Sequence, residues 1–452
     1  MRQPQTVRAA MIHVRTPLYL NAYALIVSNV LTSGLGLVYW SLAARLYRVE
    51  EVGVSAAVIA AATFLTGISQ LNLRMALIRL VPASGARTPR LVWSAYALSL
   101  AVTAVVSIVV FGAMAVMGTS TLALEGLATP LGVLFLVLGT MASTIFNLQD
   151  GVLAGLRRTV WVPVENGIYS VVKILVLVAL AVGLPTLGIV VSWFLPIFVM
   201  VVVISIVLAT RWLPAHVAAS GERTLGLAGR RLLNFVAADY VGSLFALSIS
   251  SLLPVLIVAA VGPRLGAYFA IVWTISVSLN LLPINMCASL TVEAIHGGGH
   301  LGAETRRVAI HMARLLVPAV VAIVVFAEWI LRIFGAEYAE NGALPLRLLA
   351  LGVLPVGVNT LFMATARIRG RGRQILVVQA VLAGLTLGGS ALLIGPLGIV
   401  GVPLAWLIAQ TAVAVVLGFW RLLPLLRSAS VASDEPPAPA APAGPEAASQ
   451  GR

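Results

Sequence analysis

The chain has 452 residues, 60% of them hydrophobic and only 10% charged, where soluble domains carry about 25% charged residues. With a mean hydropathy of +1.04, this excludes a water-soluble multidomain enzyme and points to a polytopic membrane protein. The net charge of +14 arises from 28 Arg and one Lys against 15 acids, and because nearly all the cations lie between apolar runs they read as membrane-flanking charge, with no nucleic-acid partner.

The first apolar run, from about Leu18 to Leu46, is too long for the core of a signal peptide and is followed by no soluble domain, so it reads as the first membrane helix. Later helices are expected at roughly 52–73, 91–117, 130–148, 161–183, 187–209, 232–261, 265–290, 309–334, 343–366, 374–395 and 397–420. Each is long enough for about 30 Å of hydrocarbon, and together they make twelve spans. With the N-terminus inside, 23 cations fall in inside segments, five fall outside, and Lys173 alone lies within a span. That asymmetry places both termini in the cytoplasm.

No loop exceeds about 25 residues, and no P-loop, G-x-S-x-G elbow or H-E-x-x-H motif occurs, which leaves no room for an ATP-driven or hydrolytic domain. The last 25 residues hold eight Ala and five Pro and are expected to form a disordered tail. The lone Cys287 makes no intrachain disulfide and is assigned to packing within a span. His296 and His300, in a cytoplasmic loop, lack further ligands, so no metal site is expected.

The longest basic loop, Arg211 to Arg231, divides the spans six and six, and the two halves share a pattern at one offset of 213. That offset pairs Asn21 with Asn234, Ala24 with Ala237, Gly53 with Gly266 and Ala57 with Ala270. Both halves start on the same side, so the repeat is parallel, about an axis along the membrane normal. The expected architecture is therefore an all-α polytopic membrane protein with two six-helix bundles, residues 1–215 and 216–427, around a central cavity, followed by the tail 428–452.

The run Asn21 to Pro82, "NAYALIVSNVLTSGLGLVYWSLAARLYRVEEVGVSAAVIAAATFLTGISQLNLRMALIRLVP", resembles the opening of Wzx-type polysaccharide flippases of the MOP superfamily, which also includes MATE exporters and lipid II flippases. The second-half run Val261 to Val272, "VGPRLGAYFAIV", is similar to the repeated element. The resemblance implies a bacterial plasma-membrane protein that moves an undecaprenyl-pyrophosphate-linked oligosaccharide to the outer leaflet, alongside membrane lipids and a polysaccharide polymerase machinery. It implies no enzyme activity and no cofactor beyond a coupling Na+ or H+. Its rivals are a MATE-like cation-coupled exporter of small molecules and, from another class, a membrane-embedded glycan polymerase or ligase.

Candidate binding residues follow in chain order. Asn21, Ser28, Thr32 and Tyr39 share one face of helix 1, suited either to sugar hydroxyls in the cavity or to hydrogen bonds between bundles. Thr63, Gln70 and Arg74 share a face of helix 2, and Arg74 is placed to meet a diphosphate or simply to flank the membrane. On helix 5, Glu165, Tyr169 and Lys173 recur every four residues. Lys173, near the bilayer centre, is either an anchor for pyrophosphate or an acidic sugar, or an internally paired structural lysine. On helix 7, Asp239 shares a face with Ser243 and Ser250, as a coupling-ion site or as a structural carboxylate. Glu328 and Arg332, spaced i,i+4 beside Trp329, are expected to pair as an interfacial anchor.

Overall fold

The structure is a computed structural model and describes residues 33–124, 126–220, 230–296 and 301–422, of which the side chains of 230–239, 288–289, 291–296 and 421–422 are excluded. Among the described residues every regular element is helical, as lipid demands: with no water to bond, each backbone N–H and C=O must be satisfied within its own segment. The long helices are α1 (33–46, where it enters the described residues), α2 (Val49–Ser69), α3 (Thr88–Val116), α4 (Pro130–Gly155), α5 (Trp161–Gly183) and α6 (Gly188–Val207). The second half holds α7 (Arg230–Val261), α8 (Pro263–His296), α9 (Leu301–Arg332), α10 (Ala336–Ile368), α11 (Gly372–Leu397) and α12 (Gly401–Leu417).

Local chemistry sets several boundaries. The Glu51 carboxylate accepts from the Arg48 backbone N–H at 3.1 Å and closes the first turn of α2. Thr129 caps α4 by accepting from the Gly132 N–H at 3.1 Å, with Pro130 opening the helix. The expected helix 2 does not run on to Leu73. Leu71 and Asn72 take φ of 49° and 56°, a left-handed break made by two non-glycine residues, and a separate short helix, Leu73–Leu80, follows.

Ten helical stretches among the described residues are long and apolar enough to cross a bilayer, against the twelve expected. Two things account for the difference. Most of the first expected span lies before residue 33, and the last stretch, Gly372–Trp420, contains both α11 and α12 joined by a single 3-10 turn at Gly398–Val400. Several helices are longer than hydropathy alone indicates. α9 begins at Leu301, eight residues before the expected 309, because its first turns carry Glu304, Arg306 and Arg307 and continue the helix into water.

The helix contacts fall into two groups. In the first half α4 packs on α2, α3 and α6, and α5 packs on α6; in the second, α10 packs on α8, α9 and α12, and α11 on α7 and α12. The groups meet along α2, which packs on both α7 and α8. α2 is accordingly the most enclosed span, with 72% of its apolar window buried against 22% for α5 and 17% for α9.

Small side chains make that seam possible. A Cβ on Gly53 would lie 1.9 Å from the Pro263 carbonyl oxygen of α8, and one on Gly67 would lie 2.1 Å from Leu247 Cδ2 of α7. Gly53 and the segment holding its repeat partner Gly266 are thus packed directly on each other. At the Gly67 end the Tyr240 hydroxyl of α7 also donates to the Ile68 carbonyl.

Candidate functional site

The stripe expected on α5 is the face that α5 buries: its buried residues are Glu165, Tyr169, Ser170, Lys173 and Leu177. The apolar residues Val171, Leu175 and Val178 point outward, the inversion of a soluble helix that lipid permits.

Lys173, at the middle of α5, is 6% exposed and has no carboxylate or hydrogen-bond acceptor among the described residues. Its ammonium lies instead over three aromatic faces, 4.1 Å from the ring centre of Trp193 and 4.9 Å from those of Tyr39 and Tyr169. The ring quadrupoles attract the cation. The box is itself braced: the Tyr39 hydroxyl donates to the Ile189 carbonyl at 3.0 Å and lies 2.9 Å from the Ser192 hydroxyl, and the Tyr169 hydroxyl donates to the Trp193 carbonyl at 3.3 Å. Tyr39 and Trp193 meet edge to face at 5.5 Å.

The box stands beside the seam between the halves. Tyr39 and Trp40 share one buried cluster with Leu253 and Ile257 of α7 and Trp273 of α8. Tyr39 and Lys173, candidates from two separate helix stripes, are therefore brought together, while Trp193, the closest ring, was not among the candidates. Nothing in its local sequence distinguishes it from an ordinary membrane tryptophan.

A second polar group occupies the other end of the α5 stripe. Glu165 is 1% exposed and faces the Asp150 carboxyl of α4, so that neither of its oxygens has a donor among the described residues. Asp150 accepts from Asn166 Nδ2 at 3.4 Å and lies 3.9 Å from Arg74 Nη2. Arg74 thus stands apart from Lys173, on the short helix after the Leu71–Asn72 break, and off the face of α2 that carries Thr63. Asp150 was missed because it falls just beyond the expected end of helix 4; its position across a tight α4–α5 turn from Glu165 was the available signal.

Asn21, Ser28 and Thr32 lie outside the described residues, as do His300 and the side chains of Asp239 and His296. The hydroxyls expected beside Asp239 are engaged elsewhere: Ser243 donates to the Tyr240 carbonyl and Ser250 to the Leu247 carbonyl. The expected Glu328–Arg332 pair is not formed. Arg347 of α10 takes Glu328 at 3.0 Å and also donates to the Val324 carbonyl at 3.1 Å, while Arg332 rests over Trp329 at 5.5 Å. One guanidinium satisfying two acceptors outcompetes a flexible i,i+4 contact. Among the described residues no group of three or more His, Cys, Asp or Glu could hold a metal ion.

Residues 18–286 match a family model described as "Polysaccharide biosynthesis protein". No curated protein sequence matches the chain. Among solved structures, an inward closed conformation of the lipid II flippase MurJ is similar at a TM-score of 0.67 and 12% identity, covering 92% of this chain and 93% of that one. An inward-facing multidrug resistance MATE family transporter of the MOP superfamily is similar at 0.66 and 16% identity, over 90% and 96%. A MOP superfamily transporter from Pyrococcus furiosus follows at 0.57 and 15%, over 90% and 95%. At these identities the structures show a shared fold, that of an all-α, multi-pass membrane protein.

Proposed function

We propose, on the premise that the chain belongs to the polysaccharide biosynthesis protein family, that it is a flippase: it moves an undecaprenyl-pyrophosphate-linked oligosaccharide from the cytoplasmic to the outer leaflet of a bacterial plasma membrane. The fold it shares with MATE transporters and a lipid II flippase supports a transporter. The observation that carries the reading is Lys173, a single cation at mid-span, beside the seam between the halves, held by rings and by no acid among the described residues.

A buried ammonium paired with a carboxylate would have its charge answered. Over aromatic faces it keeps its positive field, and a phosphate brought within its reach is a far stronger partner than a ring. Tyr39, Tyr169 and Trp193 hold the ammonium in place between transport events, exclude water, and present flat faces on which a sugar ring can rest. Lys173 would leave this shelter to meet the pyrophosphate or an acidic sugar.

Movement follows from the seam. The six-helix bundles 1–215 and 216–427 would rock about α2, parting at the Gly53–Pro263 end while the Gly67–Leu247 end stays closed, and then the reverse. The cation asymmetry of the loops supports a cytoplasmic position for both termini. A Na+ or H+ gradient would drive the cycle through Asp239, whose carboxylate on α7 needs a cation partner inside the membrane.

A MATE-like cation-coupled exporter of small molecules is the second reading, and the buried Asp150–Glu165 pair is what favours it. Complementation of a deletion strain separates the two. Lys173→Ala should express normally yet leave lipid-linked repeat units stranded on the cytoplasmic side. Full surface polysaccharide from that variant would overturn the anion-anchoring role.

A further inference from the structure

A pocket of about 510 Å³ opens at the turn between α9 and α10, lined by Glu328 and Arg332 from one helix and by Glu340, Leu344 and Arg347 from the other. Ala336, Ala339 and Ala343 of α10 complete its lining. α9 leaves helical geometry at Phe326 (φ −95°, ψ 15°), and Arg347 secures the wall there through its bonds to Val324 and Glu328.

Those bonds occupy Arg347 and Glu328 and leave two charges over. Arg332 lies over the Trp329 ring, and among the described residues neither it nor Glu340 makes an ion pair or a hydrogen bond. One positive and one negative group thus enter the same pocket from different helices without meeting each other. Since the pocket carries two Arg and two Glu, its formal charge is zero.

Its depth is fixed by the fold. Arg332 ends α9 and Ala336 opens α10, so the pocket sits at a membrane boundary on whichever side this turn lies. Trp329 is 70% exposed and Ile333 56%. Large apolar side chains that project beside charged ones at a helix end belong at the level of lipid headgroups.

We infer that this pocket binds the headgroup of a zwitterionic phospholipid bearing a phosphate and a primary amine, with the phosphate on Arg332 and the ammonium on Glu340. A guanidinium matches phosphate oxygens, and a carboxylate takes the N–H donors of a primary ammonium. An anionic lipid lacking the amine would set its charge against Glu328 and Glu340, and a choline headgroup has no N–H to donate. A soluble phosphorylated amine has the same polar chemistry, but Trp329 and Ile333 need the acyl region of a lipid to cover them.

Native mass spectrometry of the full chain in detergent tests this with phosphatidylethanolamine, phosphatidylcholine and phosphatidylglycerol supplied at equal concentration. The wild type should retain phosphatidylethanolamine about tenfold over phosphatidylglycerol, the ratio given by one charge-assisted contact of about 1.4 kcal/mol. Glu340→Gln should erase that preference, Arg332→Gln should lower retention of both lipids while the preference is kept, and the double variant should show neither, with thermal unfolding unchanged. Equal retention of all three lipids by the wild type, or an intact preference in the double variant, would overturn the site. Displacement of the lipid by equimolar O-phosphoethanolamine would overturn its assignment to the bilayer.

Discussion

Holding an ammonium near the bilayer centre costs about 2.5 to 3.5 kcal/mol on insertion scales, and each ring face returns about 0.5 to 2 kcal/mol. The three faces around Lys173 therefore roughly offset its burial without quenching its charge. Replacing the lysine by a hydrophobe of similar length separates stability from function. Lys173→Met should unfold at the wild-type temperature or above, because an apolar chain fills the box at no electrostatic penalty, and yet should lose transport. A thermal melt and a complementation assay on the same variant check both halves. Tyr39→Phe keeps the ring over Lys173 and removes only the hydroxyl that meets Ile189 and Ser192; it should cost about 1 kcal/mol of stability and leave transport nearly intact. A dead but stable Tyr39→Phe would mean that the hydroxyl itself handles substrate.

The α2 seam is fitted to glycine at both ends, and the two contacts differ in kind. At Gly53 an added methyl meets the Pro263 backbone carbonyl, which cannot move without its helix; at Gly67 it meets the end of the Leu247 side chain, which can rotate. Gly53→Ala should therefore be the more damaging, by about 1 to 3 kcal/mol as for other overpacked sites. Gly167→Ala on α5, with nothing within 4 Å, should be neutral. Equal melting temperatures for Gly53→Ala and Gly167→Ala would show that α2 and α8 do not pack as closely as described. The same helices mark the limits of what could be read beforehand. The spacing of Glu165, Tyr169 and Lys173 was enough to place them on one face, because a helix converts sequence distance into angle. Trp193 and Asp150 reach that face from α6 and α4, and no local pattern announces a partner from another helix. The break after Ser69 went unread because Leu71 and Asn72 carry neither the glycine nor the proline that usually marks one.

At the scale of the molecule, the repeated elements at an offset of 213 hold the clearest record of the architecture, since Gly53 packs against the helix that carries its own counterpart. Apolar run lengths located the helices well but misjudged their ends, as at α9, where the helix persists past the hydrocarbon into a charged first turn. Charge asymmetry predicts the sidedness. In a Cys287→Ser background, a cysteine at Gly221, in the loop between the halves, should react with a membrane-impermeant maleimide only after the cells are opened; labelling in intact cells would invert the topology and with it the direction of transport. The central claim is that Lys173 carries an anionic lipid-linked substrate across. Its most direct measurement is flipping of a pyrophosphate-linked oligosaccharide lipid in proteoliposomes, read as loss of accessible glycan from one leaflet. The wild type should equilibrate the lipid between leaflets while Lys173→Met, equally well inserted, matches protein-free vesicles. Equal rates for Lys173→Met and wild type would contradict the account.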